Sequence, residues 1–185
     1  DKAHGIEVYA AASSKGSEEK AAQVKVGGDS TIYTQGAQSH GVYADMLDAN
    51  IALGDDSNVT TKGDGAHGLY AARGVIETGD GLQLSVQGTG AHAAYADSAD
   101  GSINFQGGAD ISAAAPGSYA VYADNGGKIA GLAADSRFTI HGNMLADNSG
   151  SIELDLAANS LFAGKSTVEN SGTIDLTMAD SMWRM

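Results

Sequence analysis

The chain has 185 residues, enough for one domain, with 26 glycines, one proline and no cysteine. Its formal charge is −13, from 23 acids against 10 bases, so it lacks the basic footprint that displaces counterions from nucleic-acid phosphates. Without cysteine there is no disulfide scaffold, thiolate metal site or thiol nucleophile, and no apolar run is long enough to cross a bilayer as a helix.

Five segments in chain order read alike: HGIEVYAA around Tyr9, HGVYAD around Tyr43, HGLYAA around Tyr70, HAAYAD around Tyr95 and YAVYAD around Tyr122. The gaps between these tyrosines are 34, 27, 25 and 27 residues. LADNSGSI at Leu145 continues the series with the tyrosine lost, and VENSGTI around Thr167 carries it on. Eleven residues before the tyrosines stand Ile32, Val59, Leu84 and Ile111; nine before stand Thr34, Thr61, Val86 and Ala113. Seven before stand Gly36, Gly63, Gly88 and Ala115, and the same frame, 27 residues on, reaches Phe138, Ile140 and Gly142. The stretch SSKGSEEK at residues 13–20 lengthens the first interval and reads as a loop projecting from the repeat.

Within a unit the apolar residues alternate. Leu82, Leu84 and Val86 interleave with polar residues, as do Ile152, Leu154 and Leu156, and Ile174, Leu176 and Met178. A period of two is strand chemistry, and GGDS, GDDS, GGAD and NSG between such runs are turn chemistry. No window carries a capped helical stripe. About three short strands per repeat predict an all-β fold, a parallel β-solenoid of about seven coils in one domain over residues 1–185. A sandwich or barrel would not return the same residue types at that interval. Ile32, Val59, Leu84, Ile111 and Phe138 are then expected in one internal column. Val42, Leu69, Ala94 and Val121 form a second, with Ala44, Ala71, Ala96 and Ala123 beside it.

Units of the A-H-G-V-Y-A-D type resemble the passenger region of Gram-negative autotransporters, the pertactin-like group of type V secretion. The tail SGTIDLTMADSMWRM is similar to the stretch with which such passengers open their C-terminal segment, here Ile174, Leu176, Met178, Ser181 and Trp183. The resemblance implies a right-handed parallel β-helix, with residues 170–185 beginning a folding-nucleation, autochaperone-like segment. It also implies export across the outer membrane to the cell surface or medium, ahead of an outer-membrane β-barrel. The expected role is a non-catalytic rigid stalk or adhesin in host contact and virulence. Its partners would be a host surface protein or glycan and the rest of its own passenger, with no nucleic acid. The start at Asp1 without a signal peptide reads as a mature chain or an excised fragment, and an unfinished last coil at Trp183 predicts end-to-end self-association or marginal stability.

The candidate binding site is a stripe. With Val42 and its equivalents inward, Tyr43, Tyr70, Tyr95 and Tyr122 point outward, with Asp45, Asp97 and Asp124 two positions on and Ala72 interrupting them. Such a stripe suits sugar rings or a host protein, or else stabilises neighbouring coils by ring stacking. His40, His67 and His92 form a column with Tyr119 in its fourth slot, expected at a corner as a hydrogen-bonded ladder rather than a metal site. His4 and His141 fall outside that column. No cofactor, metal or catalytic residue is expected. The calcium nonapeptide does not recur, Arg73 and Arg137 stand isolated, and GGDS at residues 27–30 precedes a strand instead of a nucleophile's helix. The alternatives are a carbohydrate-active β-helix enzyme, a polysaccharide lyase or glycosidase, and a solenoid that is calcium-dependent or ice-binding. Ice binding is opposed by Val86 and Ala113 following Thr34 and Thr61.

Overall fold

A computed structural model describes residues 3–9 and 22–185 of the chain. It is a parallel β-solenoid with no helix among the described residues. The loop expected at residues 13–20 lies outside the described residues.

Each coil contributes three short strands. The first coil holds β1 (Ile6–Tyr9), β2 (Gln23–Val26) and β3 (Thr31–Thr34). The second holds β4 (Val42–Asp45), β5 (Asn50–Leu53) and β6 (Asn58–Thr61), and the third β7 (Leu69–Ala71), β8 (Val75–Thr78) and β9 (Leu82–Val86). Then come β10 (Ala94–Asp97), β11 (Ser102–Phe105) and β12 (Ala109–Ala113), followed by β13 (Val121–Asp124), β14 (Lys128–Gly131) and β15 (Phe138–His141). The last two coils are β16 (Met144–Ala146), β17 (Ser151–Leu156), β18 (Leu161–Ala163), and β19 (Ser166–Val168), β20 (Thr173–Met178), β21 (Met182–Arg184). Every third strand pairs in parallel, giving three seven-stranded sheets. At about 4.8 Å per strand the rod is about 30 Å long.

Alternation in the sequence becomes alternation in space. In β4, Val42 and Ala44 are buried and Tyr43 and Asp45 half-buried, and β10 and β13 repeat that pattern. The second expected column is present: Val42 pairs with Leu69, Leu69 with Ala94 and Ala94 with Val121, all fully buried. The four alanines lie beside it in register. Thr34, Thr61, Val86 and Ala113 also stack, facing inward. The two threonine hydroxyls are satisfied at the corner, where they donate to the Ser39 and Ala66 carbonyls at 2.6 Å. They therefore present no threonine face to solvent.

The first expected column holds through Ile111 and then departs from expectation. Ile111 pairs with Ile140, 29 residues on, while Phe138 pairs with Ala109 and continues the line of Leu82. The cause is turn length. Six residues, 132–137, join β14 to β15, whereas three, 106–108, join β11 to β12. The first column therefore runs Ile32, Val59, Leu84, Ile111, Ile140, Phe162, Trp183.

A further column escaped the sequence reading. Val24 heads Ile51, Ile76, Ile103, Ile129, Ile152 and Ile174, paired in unbroken register through the second sheet. Like shapes stacked at strand spacing interdigitate without voids, and each buried isoleucine is worth about 1.5–3 kcal/mol.

The ring of Phe138 explains a glycine inside a strand. It meets Phe105 edge to face at 5.8 Å. A Cβ on Gly131 would lie 2.8 Å from Phe138 Cζ and 3.0 Å from Leu154 Cδ2. Gly131→Ala is therefore expected to destabilise the fold by about 1–3 kcal/mol, the usual cost of overpacking. A lowered urea midpoint at unchanged m-value is the expected readout; an unchanged midpoint would contradict the packing.

Candidate functional site

The outer face of the first sheet carries the candidate stripe. Tyr43, Tyr70, Tyr95 and Tyr122 are mutual register partners. Their rings stack with centroids 4.9, 5.0 and 4.9 Å apart and planes within 16°. Strand spacing imposes this distance, and identical residues in the column let the rings lie parallel. Glu7 pairs above Tyr43 and Leu145 below Tyr122. Ring faces are thus turned toward neighbours in the column, and the stripe offers a partner edges and hydroxyls.

A second aromatic column flanks it. His40, His67 and His92 stack at 4.9 Å, and Tyr119 follows at 5.4 Å. His4 heads the column, 4.8 Å from His40, although the sequence reading excluded it. The offset had been measured from Tyr9, yet Tyr9 pairs with Asp45 and Glu7 occupies the tyrosine slot. Each histidine also touches tyrosines. His67, for example, lies 5.1 Å from Tyr70 and 4.9 Å from Tyr95.

The histidines are wired to the backbone as expected of a corner ladder. The N–H of His40 donates to His4 Nδ1 at 2.9 Å, that of His67 to His40 Nδ1 at 3.0 Å, and that of His92 to His67 Nδ1 at 2.9 Å. The N–H of Tyr119 closes the series on His92 Nδ1 at 3.1 Å. At His67 and His92 an accepting Nδ1 goes with a single ring proton on Nε2, the neutral imidazole. Burial works in the same direction. It holds His92 neutral down to about 4. His67 is pushed to about 2, first by burial and then by the neighbouring His92 and His40. Equivalent nitrogens repeat at coil spacing, more than twice a Zn–N bond of about 2.0–2.1 Å, so two stacked rings do not share an ion.

The acids are engaged too. Tyr43 Oη donates to Asp45 Oδ2 at 2.9 Å and Tyr122 Oη to Asp124 Oδ2 at 3.0 Å, while Tyr70 reaches Asp97 of the next coil at 3.4 Å. Burial first, and then these carboxylates, push the tyrosine hydroxyls up, Tyr70 to about 12, and Tyr43, Tyr95 and Tyr122 further. Stacked aspartates repel, and here asparagine amides separate them. Asn125 Nδ2 donates to Asp97 at 2.9 Å, Asn148 Nδ2 to Asp124 at 2.9 Å and Asn170 Nδ2 to Asp147 at 2.7 Å. These asparagines sit at φ of 51°, 44° and 39°, a left-handed turn geometry that asparagine tolerates. Asp147 and the asparagines were missed as a ladder, although YADN and LADN align them in the sequence.

Neither arginine is isolated, contrary to expectation. Arg73 Nε binds Asp45 Oδ1 at 2.8 Å, one coil back, and Arg137 lies 3.9 Å from Asp110. Asp80, Asp110, Asp135 and Arg137 rim a shallow depression of about 270 Å³ on the third sheet. Asp80 Oδ1 there accepts the Gly108 N–H at 2.6 Å, as a corner residue does. Ser30 of the GGDS turn donates to its own Gly27 carbonyl at 2.7 Å, and Ser57 of GDDS does the same to Gly54. His141 is exposed on the third sheet, away from the histidine column.

No family model, curated protein or solved structure matches this chain.

The neutral histidine ladder makes stability depend on pH. An unfolded histidine titrates near 6.5. Below that value the unfolded chain binds protons that His67 and His92 in the fold refuse. Their contribution is fully present above pH 6.5 and is lost as pH falls, down to about 4 for His92 and about 2 for His67, at about 1.4 kcal/mol per pH unit for each residue. Urea midpoints measured at pH 7.5, 6 and 5 are expected to drop accordingly. In a His67→Gln, His92→Gln variant the drop should shrink; a flat profile for the unmodified chain would contradict the ladder.

Proposed function

We propose that this chain is a non-catalytic rod of an extracellular autotransporter passenger, which holds a contact surface away from a Gram-negative cell. The observation that carries the reading is how the repeat spends its polar chemistry. The histidines of the ladder bond to the backbone of the next coil, and the tyrosines and aspartates of the stripe bond to one another or to an asparagine of the next coil. Such contacts stiffen a rod. The passenger-like repeat and tail, the absence of cysteine, which spares an exported chain from premature disulfides, and the acidic charge all support export in an unfolded state. The likeness of the tail extends this to an outer-membrane barrel as the export partner.

The proposed contact surface is the tyrosine stripe with Asp45, Asp97 and Asp124. Because ring faces stack on their neighbours, the favoured ligand is a host surface protein that meets ring edges and hydroxyl–carboxylate pairs. A glycan that needs an open ring face to stack on fits less well. The test is a panel of host matrix proteins and glycans probed with the chain and with a quadruple Tyr→Phe variant at Tyr43, Tyr70, Tyr95 and Tyr122. Phenylalanine keeps the stack and removes the hydroxyls. Binding to a matrix protein that weakens at least about tenfold, a loss of about 1.4 kcal/mol, at unchanged circular dichroism is expected. Equal binding by the variant would remove the stripe, and no binding across the panel would remove the adhesin reading.

A further inference from the structure

The outer face of the third sheet departs from the rule that like meets like. From the second coil to the fifth, one outer column reads Asn58, Gln83, Asp110, Thr139. The column beside it reads Thr60, Ser85, Ser112, His141. No residue type repeats in the first column and only serine repeats in the second, whereas the stripe on the first sheet keeps tyrosine through four coils. The strands that carry these columns, β6, β9, β12 and β15, each have a strand neighbour on both sides. No backbone edge is open there, so the face offers only its side chains.

The polar stretch ends within the rod. Thr139 pairs with Leu161 and His141 with Ala163, so the next coil turns apolar at both positions. Just before that step the six-residue turn 132–137 brings Asp135 and Arg137 to the face, where Arg137 Nη2 donates to Thr139 Oγ1 at 2.8 Å. The shallow depression rimmed by Asp80, Asp110, Asp135 and Arg137 adjoins a second one, of about 310 Å³, and Asp110 lines both. Hydroxyl and carboxamide side chains of the two columns line the second depression. Some of them orient one another. Thr60 Oγ1 donates to Asn58 Oδ1, and Asn58 Nδ2 to Gln83 Oε1, both at 3.2 Å. The Ser85 and Ser112 hydroxyls line it without a hydrogen-bond partner among the described residues.

This chemistry selects a class of ligand. Hydroxyls, carboxamides and a carboxylate in a row match a molecule rich in hydroxyl groups, each of which both donates and accepts. A peptide is recognised through a free strand edge or through apolar pockets, and these columns offer neither. Three carboxylates against one guanidinium at the first depression oppose an anionic chain. Equivalent positions recur along the rod at about 4.8 Å, and an extended β-1,4-linked hexose chain advances by nearly the same step per sugar.

We infer that the outer face of the third sheet binds a neutral, linear oligosaccharide laid along the rod, one sugar to a coil over four coils, with Asp110 shared between its two depressions. The site lies on a different sheet from the tyrosine stripe, and its test is independent of the host-contact reading.

Titration calorimetry with unbranched β-1,4-linked oligomers of glucose, N-acetylglucosamine and mannose, two to six sugars long, tests it. At least one series is expected to bind, with affinity rising from two sugars to four and levelling beyond. Asp110→Ala combined with Gln83→Ala, both at exposed positions, should weaken binding of the hexamer at least about tenfold at an unchanged urea midpoint. Glu153→Gln, which removes an acid from the outer face of the second sheet, should bind as the parent does. A heparin hexasaccharide, anionic and of the same length, should bind more weakly than the neutral hexamer. No binding in any series, equal affinity for two and six sugars, equal binding by the double variant, equal weakening by Glu153→Gln, tighter binding of heparin, or binding of oligolysine in place of any sugar would each overturn the inference.

Discussion

Parallel, in-register pairing between coils is the constraint on which the rest of this structure depends. It makes the nearest neighbour of each side chain its own equivalent one coil away, at about 4.8 Å. Like therefore meets like along the whole rod. For isoleucine that is a gain, as from Ile51 to Ile174, because identical shapes nest. For rings it enforces parallel stacks, in both the tyrosine and the histidine columns. For ionised groups it is a penalty, and the outer face shows how that penalty is met. Burial keeps His67 and His92 neutral while their Nδ1 atoms accept backbone N–H groups, asparagine amides reach from one coil to the aspartate of the coil before, and tyrosine hydroxyls donate to the aspartates beside them.

The same constraint decides how much could be read before coordinates. Columns close upstream of a tyrosine were legible because the segments joining them to it differ little in length. Val42, Leu69, Ala94 and Val121 lie immediately before their tyrosines in four coils, and pairing follows. The isoleucine column lies beyond a turn of changing length. Ile51, Ile76, Ile103 and Ile129 stand eight, six, eight and seven residues after their tyrosines, so a fixed frame blurs them. Phe138 was misplaced for the same reason, by the longer turn at residues 132–137. At the other end, His-Gly was a better anchor than tyrosine, which is why His4 joined its column and Tyr9 left its own. Turn lengths drift because a solvated corner tolerates an extra residue, whereas a strand shifted by one turns its core face outward.

The candidate stripe was legible in position and less so in character. Alternation placed the four tyrosines and three aspartates outside, and they are outside. What one-dimensional spacing does not carry is that rings at strand spacing cover one another, or that hydroxyls and carboxylates pair off locally. Both follow once the coils are stacked. Both favour stiffness over an open recognition platform, and they narrow the chemistry that a partner would need.

Departures from a column are where such a fold can hold information beyond its own stability. A residue identical to its neighbours above and below is accounted for by stacking. A residue unlike them needs a separate reason. Ala72 follows Asp45 in the acidic column and removes one acid, while Arg73 beside it reaches back to Asp45 at 2.8 Å. Together they relieve charge at Asp45, whose counterparts Asp97, Asp124 and Asp147 each accept an asparagine amide instead. Tyr119 ends the histidine run yet still supplies the N–H that His92 requires, so the ladder needs a backbone donor there and not another imidazole. Gly131 departs from its column to admit Phe138. These three breaks are explained by contacts inside the rod. The tyrosine hydroxyls, which lie on the outer face of the first sheet, are a place where contacts with another molecule have room to act.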